Sequence, residues 1–190
     1  MKTSDPPTWD EIRQEYTETF GYIRNDIATI CNSRYQLQYT VLLLTCCACE
    51  MIATHQREHV SRVFLQLSAN GLINDTHAKT LWEAVRNGLA HRFRPHTIRT
   101  NEEILRFRFR WRRGKPMRIG EKDGEGVKWI DMNTLALAER VIALIDEYEA
   151  QLKSSSEARR AFCREWGNST KPVSGLSVPL DHLWRSLEEN

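Results

Sequence analysis

Long apolar runs are missing from this chain. The most apolar stretch, Val41 to Cys49, stops far short of the roughly 18 residues that a membrane-spanning helix requires, so no membrane partner is expected. The first residues place Lys2 ahead of Asp5, Pro6, Pro7 and Asp10 and hold no apolar centre of the kind a secretory leader carries. A soluble, cytoplasmic protein is the expectation. A disulfide framework is missing too: the five cysteines are odd in number, with Cys46, Cys47 and Cys49 crowded into one apolar segment and Cys31 and Cys163 apart from it. Cys46 and Cys49 do form a Cys-x-x-Cys pair, but it has no second pair and no strand-turn context, so packing inside a helix is the reading it supports. Metal ligands are equally thin. His55 and His59 are four residues apart, yet no His-Glu-x-x-His pattern surrounds them and no third ligand is evident, so neither a metal nor a cofactor is expected.

Net charge is also small, +2 over 190 residues, but it is unevenly spread. Residues 86–118 hold eleven arginines and lysines against Glu102 and Glu103, a local balance of +9 that leaves the remainder at −7. A field of one sign confined to one segment attracts polyanions, and nucleic acid is the commonest polyanion in a cell. With hydrophobic residues at 41% and charged residues at 27% the composition is that of a globular protein, which excludes disorder throughout. The length suits one compact domain with room for an appendage.

Apolar spacing reads as helix over most of the chain. Thr8-Trp9-Asp10-Glu11 is a capping-box pattern, and Trp9, Ile12, Tyr16, Phe20, Ile23, Ile27 and Ile30 succeed one another in steps of three and four. A second helix is expected from about Leu37 to Arg57, apolar all round at its centre except for Glu50, as for a helix enclosed by others. Val60, Val63, Phe64 and Leu67 mark a third, stopped at Asn70-Gly71. Asn74 or Asp75 opens a fourth with the stripe Ala78, Leu81, Trp82, Val85 and Leu89, until Pro95 forces the chain out of helix. The period then changes to two: a strand through Leu105–Arg112 puts Arg106, Arg108, Arg110 and Arg112 on one face and Leu105, Phe107, Phe109 and Trp111 on the other. Gly114, Gly120, Gly124 and Gly126 punctuate the next stretch of chain, and Val127 to Asp131 is expected as the return strand. A further helix, about Thr134 to Leu152, carries Leu137, Val141, Leu144, Ile145 and Tyr148 on one side.

The expected fold class is therefore mainly α, an up-and-down bundle of four to five helices with an inserted β-hairpin at about residues 103–131. Residues 1–153 form the bundle with its basic hairpin. Residues 154–190, beyond a Ser154-Ser155-Ser156 hinge, form a C-terminal appendage with short helices at Glu157–Trp166 and Leu180–Leu187.

Arg86-Asn87-Gly88-Leu89-Ala90-His91, at the end of the fourth helix, carries the chemistry. An arginine is charged at any physiological pH and offers a planar fork of donors to phosphate, and a histidine exchanges a proton near neutrality. At about 100° per residue, Asn87 and His91 lie about 40° apart on one face while Arg86 is about 140° from His91. Arg86 joins them only through a curled side chain, a break near Gly88, or a neighbouring chain. Arg and His at a helix C-terminus also simply complement its dipole. Asn87 orients His91, binds phosphate, or caps the backbone near Gly88, which itself fits either a functional kink or a plain helix end.

This Arg-Asn-x-x-x-His pattern, in a helical context covering about residues 8–153, resembles the signature of the HEPN superfamily (higher eukaryotes and prokaryotes nucleotide-binding domains). The resemblance implies a metal-independent endoribonuclease, often a toxin or defence effector, cleaving single-stranded RNA through the 2′-hydroxyl. Arg86, Asn87 and His91 would form the catalytic set. It also implies a homodimer with a shared cleft, an antitoxin or regulatory partner, and an acidic residue on an earlier helix facing the motif. Glu50 is the candidate for that residue, with Arg86 as its partner; the alternative is that Glu50 faces water at the bundle edge. Arg92, Arg94, His96, Arg106, Arg108, Arg110 and Arg112 are the RNA-binding candidates. For the strand arginines the alternative is an ordinary solvated face, and for His96 a solvated loop. The runner-up function is a non-catalytic module of the same kind that binds nucleic acid, a nucleotide or a protein partner.

Overall fold

The computed structural model describes residues 5–33, 37–67, 75–92, 94–99 and 103–169. The capping box forms as the sequence pattern requires: the Thr8 backbone N–H donates to Glu11 Oε2 at 2.6 Å, the Glu11 N–H donates to Thr8 Oγ1 at 3.4 Å, and α1 (Trp9–Tyr16) begins. The expected first helix continues through a π turn at Thr17–Gly21 into α2 (Tyr22–Asn32). The Thr17 and Thr19 hydroxyls donate to the carbonyls of Arg13 and Glu15, each at 2.8 Å, and such back-bonding loosens the helical ladder. Phe20 nevertheless stays buried within this wider turn.

α3 (Gln38–Gln56) is the central helix, packed by α2, α4 (Val60–Leu67), α5 (Asp75–Arg92), α6 (Thr134–Ser154) and α7 (Ser156–Ser169). It ends at Arg57 in the left-handed region, φ 55°. Val41, Leu42, Cys46, Ala48, Cys49 and Ile52 are buried among its neighbours. It is not enclosed on every side as its apolar centre suggested: Tyr39 is 47% and Leu43 42% exposed. Burial pushes the Cys46 thiol up to about 12 and raises Cys49 well above its ordinary value, which makes both inert packing groups. His55 is buried too, between the rings of Phe20 and Phe162. Among the described residues no group of histidine, cysteine and carboxylate side chains converges to hold a metal ion.

α6 buries Leu137, Val141, Leu144, Ile145, Tyr148 and Leu152 against α3 and α2, the face its spacing predicts. After a break at Ser155, α7 packs on α1, α3 and α6 and adds Phe162 to the same core. The Asn70-Gly71 stop, Asn74 as a cap, and the helix at Leu180–Leu187 lie outside the described residues.

The inserted hairpin is instead a four-stranded sheet, β1 (Ile98–Arg99), β2 (Ile104–Arg110), β3 (Met117–Lys122) and β4 (Val127–Asn133), in the order β1-β2-β4-β3. β2 and the expected return strand do pair, but in parallel, with Arg106 opposite Trp129, Arg108 opposite Asp131 and Arg110 opposite Asn133. The antiparallel partner of β4 is β3. An Asx turn makes the reversal: Asp123 Oδ1 accepts the N–H groups of Glu125 and Val127, each at 3.0 Å, while Gly126 takes φ 76°. β4 runs into α6 without a linker, and the Thr134 hydroxyl donates to the Arg110 carbonyl at 3.2 Å.

Candidate functional site

α5 is helical without a break from Asp75 to Arg92, so Gly88 introduces no kink. Its glycine has a packing reason. A Cβ at position 88 would lie 2.3 Å from the Arg94 carbonyl oxygen, 2.5 Å from the Pro95 Cα and 2.6 Å from the His96 nitrogen. The chain beyond the helix folds back onto it there, held by the His96 N–H on the Ala84 carbonyl at 2.9 Å and the Arg94 N–H on the Gly88 carbonyl at 3.3 Å.

The unbroken helix fixes where each motif side chain points. Val85 and Leu89 face the core, and Asn87, Ala90 and His91 form the opposite, exposed ridge. Arg86 lies on the flank toward α3, where its Nε donates to Glu50 Oε1 at 2.9 Å. Both side chains keep access to water, 43% and 42% exposed, so the pair positions the guanidinium more than it stabilises the fold. With Nε taken by Glu50, the two terminal nitrogens are the donors left for an anion.

Arg92, on the other flank, belongs to a second group. It lines a cavity of about 630 Å³ together with Arg94, His96 and Arg106. Tyr39, Phe107, Phe109 and Trp129 supply its aromatic surface, and among the described residues no carboxylate lines it.

The strand arginines divide. β2 ends at Arg110, so Arg112 lies beyond the strand, where its Nε donates to Asn133 Oδ1 at 2.9 Å. Arg108, Arg110 and Arg118 gather on Asp131, whose side chain is 1% exposed: Arg108 Nε donates to Oδ1 at 2.8 Å, Arg118 Nε to Oδ2 at 3.3 Å, and Arg110 Nε stands 3.9 Å away. Burial acts to raise the Asp131 pKa, but the guanidinium partners outweigh it and hold the carboxyl below its ordinary value. Three cations on one anion leave a surplus of positive charge at the sheet surface. The face is therefore neither a bare ladder nor plain solvated surface. Phe107, Phe109 and Trp111 pack toward the core as the alternation requires.

Sequence reasoning missed Asp131, Trp129 and Tyr39. A lone carboxylate in an apolar strand facing an arginine strand was the available signal for Asp131, but only the parallel register sets it opposite Arg108. Trp129 is fixed on two sides, its Nε1 donating to Asp123 Oδ2 at 2.9 Å and the Arg108 guanidinium lying 5.2 Å from its ring centre. Tyr39 meets Phe109 edge to face at 5.1 Å. The two histidines at helical spacing are engaged elsewhere: His59 Nδ1 bonds Ser61 Oγ at 2.7 Å, and His55 packs among aromatic rings in the core. Comparison of the chain with protein-family models, with curated proteins and with solved structures gives no significant match in any of the three.

Proposed function

We propose that this protein is an endoribonuclease of the HEPN type that cleaves single-stranded RNA without a metal, with Arg86 and His91 at the scissile phosphate. The observation that carries this reading is the exposed ridge of Asn87 and His91 on α5, flanked by an Arg86 whose free donors are aimed by Glu50. In the reaction a ribose 2′-oxygen attacks the adjacent phosphorus, its proton passing to a base. The bond to the 5′-oxygen breaks, and that oxygen takes a proton from an acid. His91 supplies one of these transfers, typically worth about 10² to 10⁴ in rate, and the Arg86 guanidinium stabilises the charge growing on the phosphoryl oxygens. Asn87 orients His91 or binds phosphate.

One imidazole serves one transfer well, and the unbroken helix keeps Arg86 about 140° from His91. A two-fold dimer supplies the second set. Its contact surface is the uncovered stripe of α3, where exposed Leu43 and half-buried Cys47 lead along one face to Glu50. A regulatory or antitoxin partner is implied by the same resemblance. The alternative of RNA binding without cleavage is favoured by one observation: Gly88 is accounted for by packing against residues 94–96 alone.

The test is incubation of the purified protein with mixed RNA in EDTA. Cleavage leaving 2′,3′-cyclic phosphate ends and falling about 10²-fold or more in His91→Ala is the expected result. Cleavage that needs a divalent ion, or that survives His91→Ala, overturns the mechanism.

A further inference from the structure

The cavity between the end of α5 and the sheet has the chemistry of a single nucleotide. At about 630 Å³ it falls in the size range of small-ligand sites, and its lining is divided. Arg92, Arg94 and Arg106 supply charge that fits a phosphate, and Tyr39, Phe109 and Trp129 supply flat apolar surface. Among the described residues the lining itself holds no carboxylate. Asp123, which bonds Trp129, faces Arg106 electrostatically, so three arginines outnumber one carboxylate and the balance still favours an anion. A site that binds anions by charge alone has no use for the aromatic surface, and one for an apolar ligand would not carry three arginines. A planar base joined to phosphate uses both.

The walls are held in place before any ligand arrives. Trp129 is clamped by Asp123 and Arg108. The segment bearing Arg94 and His96 is tied to α5 by two backbone hydrogen bonds and seated in the space that Gly88 leaves open. Tyr39 is 47% exposed although it is a large aromatic, as a stacking surface must be. Arg106 is the β2 arginine outside the Asp131 group; it lines the cavity, with Asp123 as its electrostatic partner.

We infer that this cavity is a one-nucleotide subsite, which stacks a base against its aromatic wall and holds the adjoining phosphate with Arg92, Arg94 and Arg106. The nucleotide comes either from an RNA strand passing His91, in which case the inference rests on the function proposed above, or from solution as a free mononucleotide. Through Arg92, the residue after His91, the subsite and the cleavage site share the last turn of α5.

The test measures binding of a fluorescent 2′-O-methyl pentanucleotide, which lacks the free 2′-hydroxyl needed for cleavage, against a backbone of equal length without bases, and of adenosine and guanosine monophosphates. The subsite requires the pentanucleotide to bind about tenfold or more tightly than the abasic backbone, with Tyr39→Ala removing that preference at unchanged melting temperature. It also requires Arg92→Gln/Arg94→Gln/Arg106→Gln to weaken both and to flatten the salt dependence of binding. Equal affinity for the two backbones, with RNA cleavage intact, overturns the subsite and leaves the nuclease standing. Monophosphate binding that depends on Tyr39 and the three arginines, in a protein that cuts no RNA, supports the subsite and overturns the nuclease. Failure to bind either class overturns the subsite outright.

Discussion

Replacing Gly88 by alanine separates two explanations of the motif by the sign of its effect. At the end of an ordinary exposed helix the change would stabilise by up to about 1 kcal/mol, because alanine is the better helix former. Here the added carbon meets the Arg94 carbonyl oxygen at 2.3 Å, the Pro95 Cα at 2.5 Å and the His96 nitrogen at 2.6 Å. All three are backbone atoms, so none can swing aside. Normal contact needs about 3.5 Å, which means the wall must retreat by about 1 Å and lose the His96–Ala84 and Arg94–Gly88 hydrogen bonds, worth about 1 kcal/mol each. Overpacking adds about 1–3 kcal/mol. After the helix gain is subtracted, the net loss is about 2–4 kcal/mol, or a melting temperature lower by about 5 °C or more. Thermal unfolding followed by circular dichroism, with a urea titration alongside, measures it. A variant as stable as the parent, or more so, refutes the packing of residues 94–96 on α5 and with it the preformed wall of the nucleotide cavity.

Other perturbations report on separate parts of the molecule. Asp131→Asn should cost about 1–3 kcal/mol, less than a fully buried pair because the surrounding arginine side chains are 38–55% exposed. Since the folded-state pKa is depressed, that contribution is present above the unfolded carboxylate value of about 3.9 and lost as pH falls through the lower folded one; parent and variant should converge in acid, and a gap that widens there contradicts the assignment. Glu50→Gln should leave the melting temperature within about 1 kcal/mol equivalent while slowing RNA cleavage, and an undiminished rate would mean that Arg86 is positioned by something else. Leu43→Glu should turn a dimer into a monomer in sedimentation at micromolar concentration, and mixing Arg86→Ala with His91→Ala chains should restore part of the activity. Cys46 and Cys49 should resist thiol reagents at pH 8 until the protein unfolds, because burial holds Cys46 at about 12 and raises Cys49 well above its ordinary value; labelling of either in the native state would mean that α3 opens.

The helices were legible because each carries its own instruction. Val63, Phe64 and Leu67, or Val141, Leu144, Ile145 and Tyr148, point one way at helical spacing whatever they pack against, and they are buried as that spacing requires. The Glu50–Arg86 contact was reachable only through the resemblance, since nothing local to α3 and α5 sets that pairing. The sheet was read least well. β3, Met-Arg-Ile-Gly-Glu-Lys, has too little apolar alternation to announce a strand, and β1 spans Ile98–Arg99 alone. Parallel pairing of β2 with β4 depends on where the chain crosses between them, which neither strand encodes. For the same reason Arg106–Arg112 looked like four equivalent arginines. Their different fates depend on Asp131 and Asn133, set opposite them across the β2–β4 pairing.

Asn133 ends β4 and Thr134 begins α6, and the Asn133 N–H donates to the Pro116 carbonyl at 2.8 Å while the Thr134 hydroxyl reaches Arg110. Strand register and helix rotation are therefore geared together. A slip of β4 by one residue would invert its faces and turn α6 by about 100°, swinging Leu137, Val141 and Ile145 out of the core. The sheet is thus not a cassette that can be cut out or exchanged between chains. An excision or transplant of residues 98–131 would have to be re-phased with the helix behind it before either half could fold.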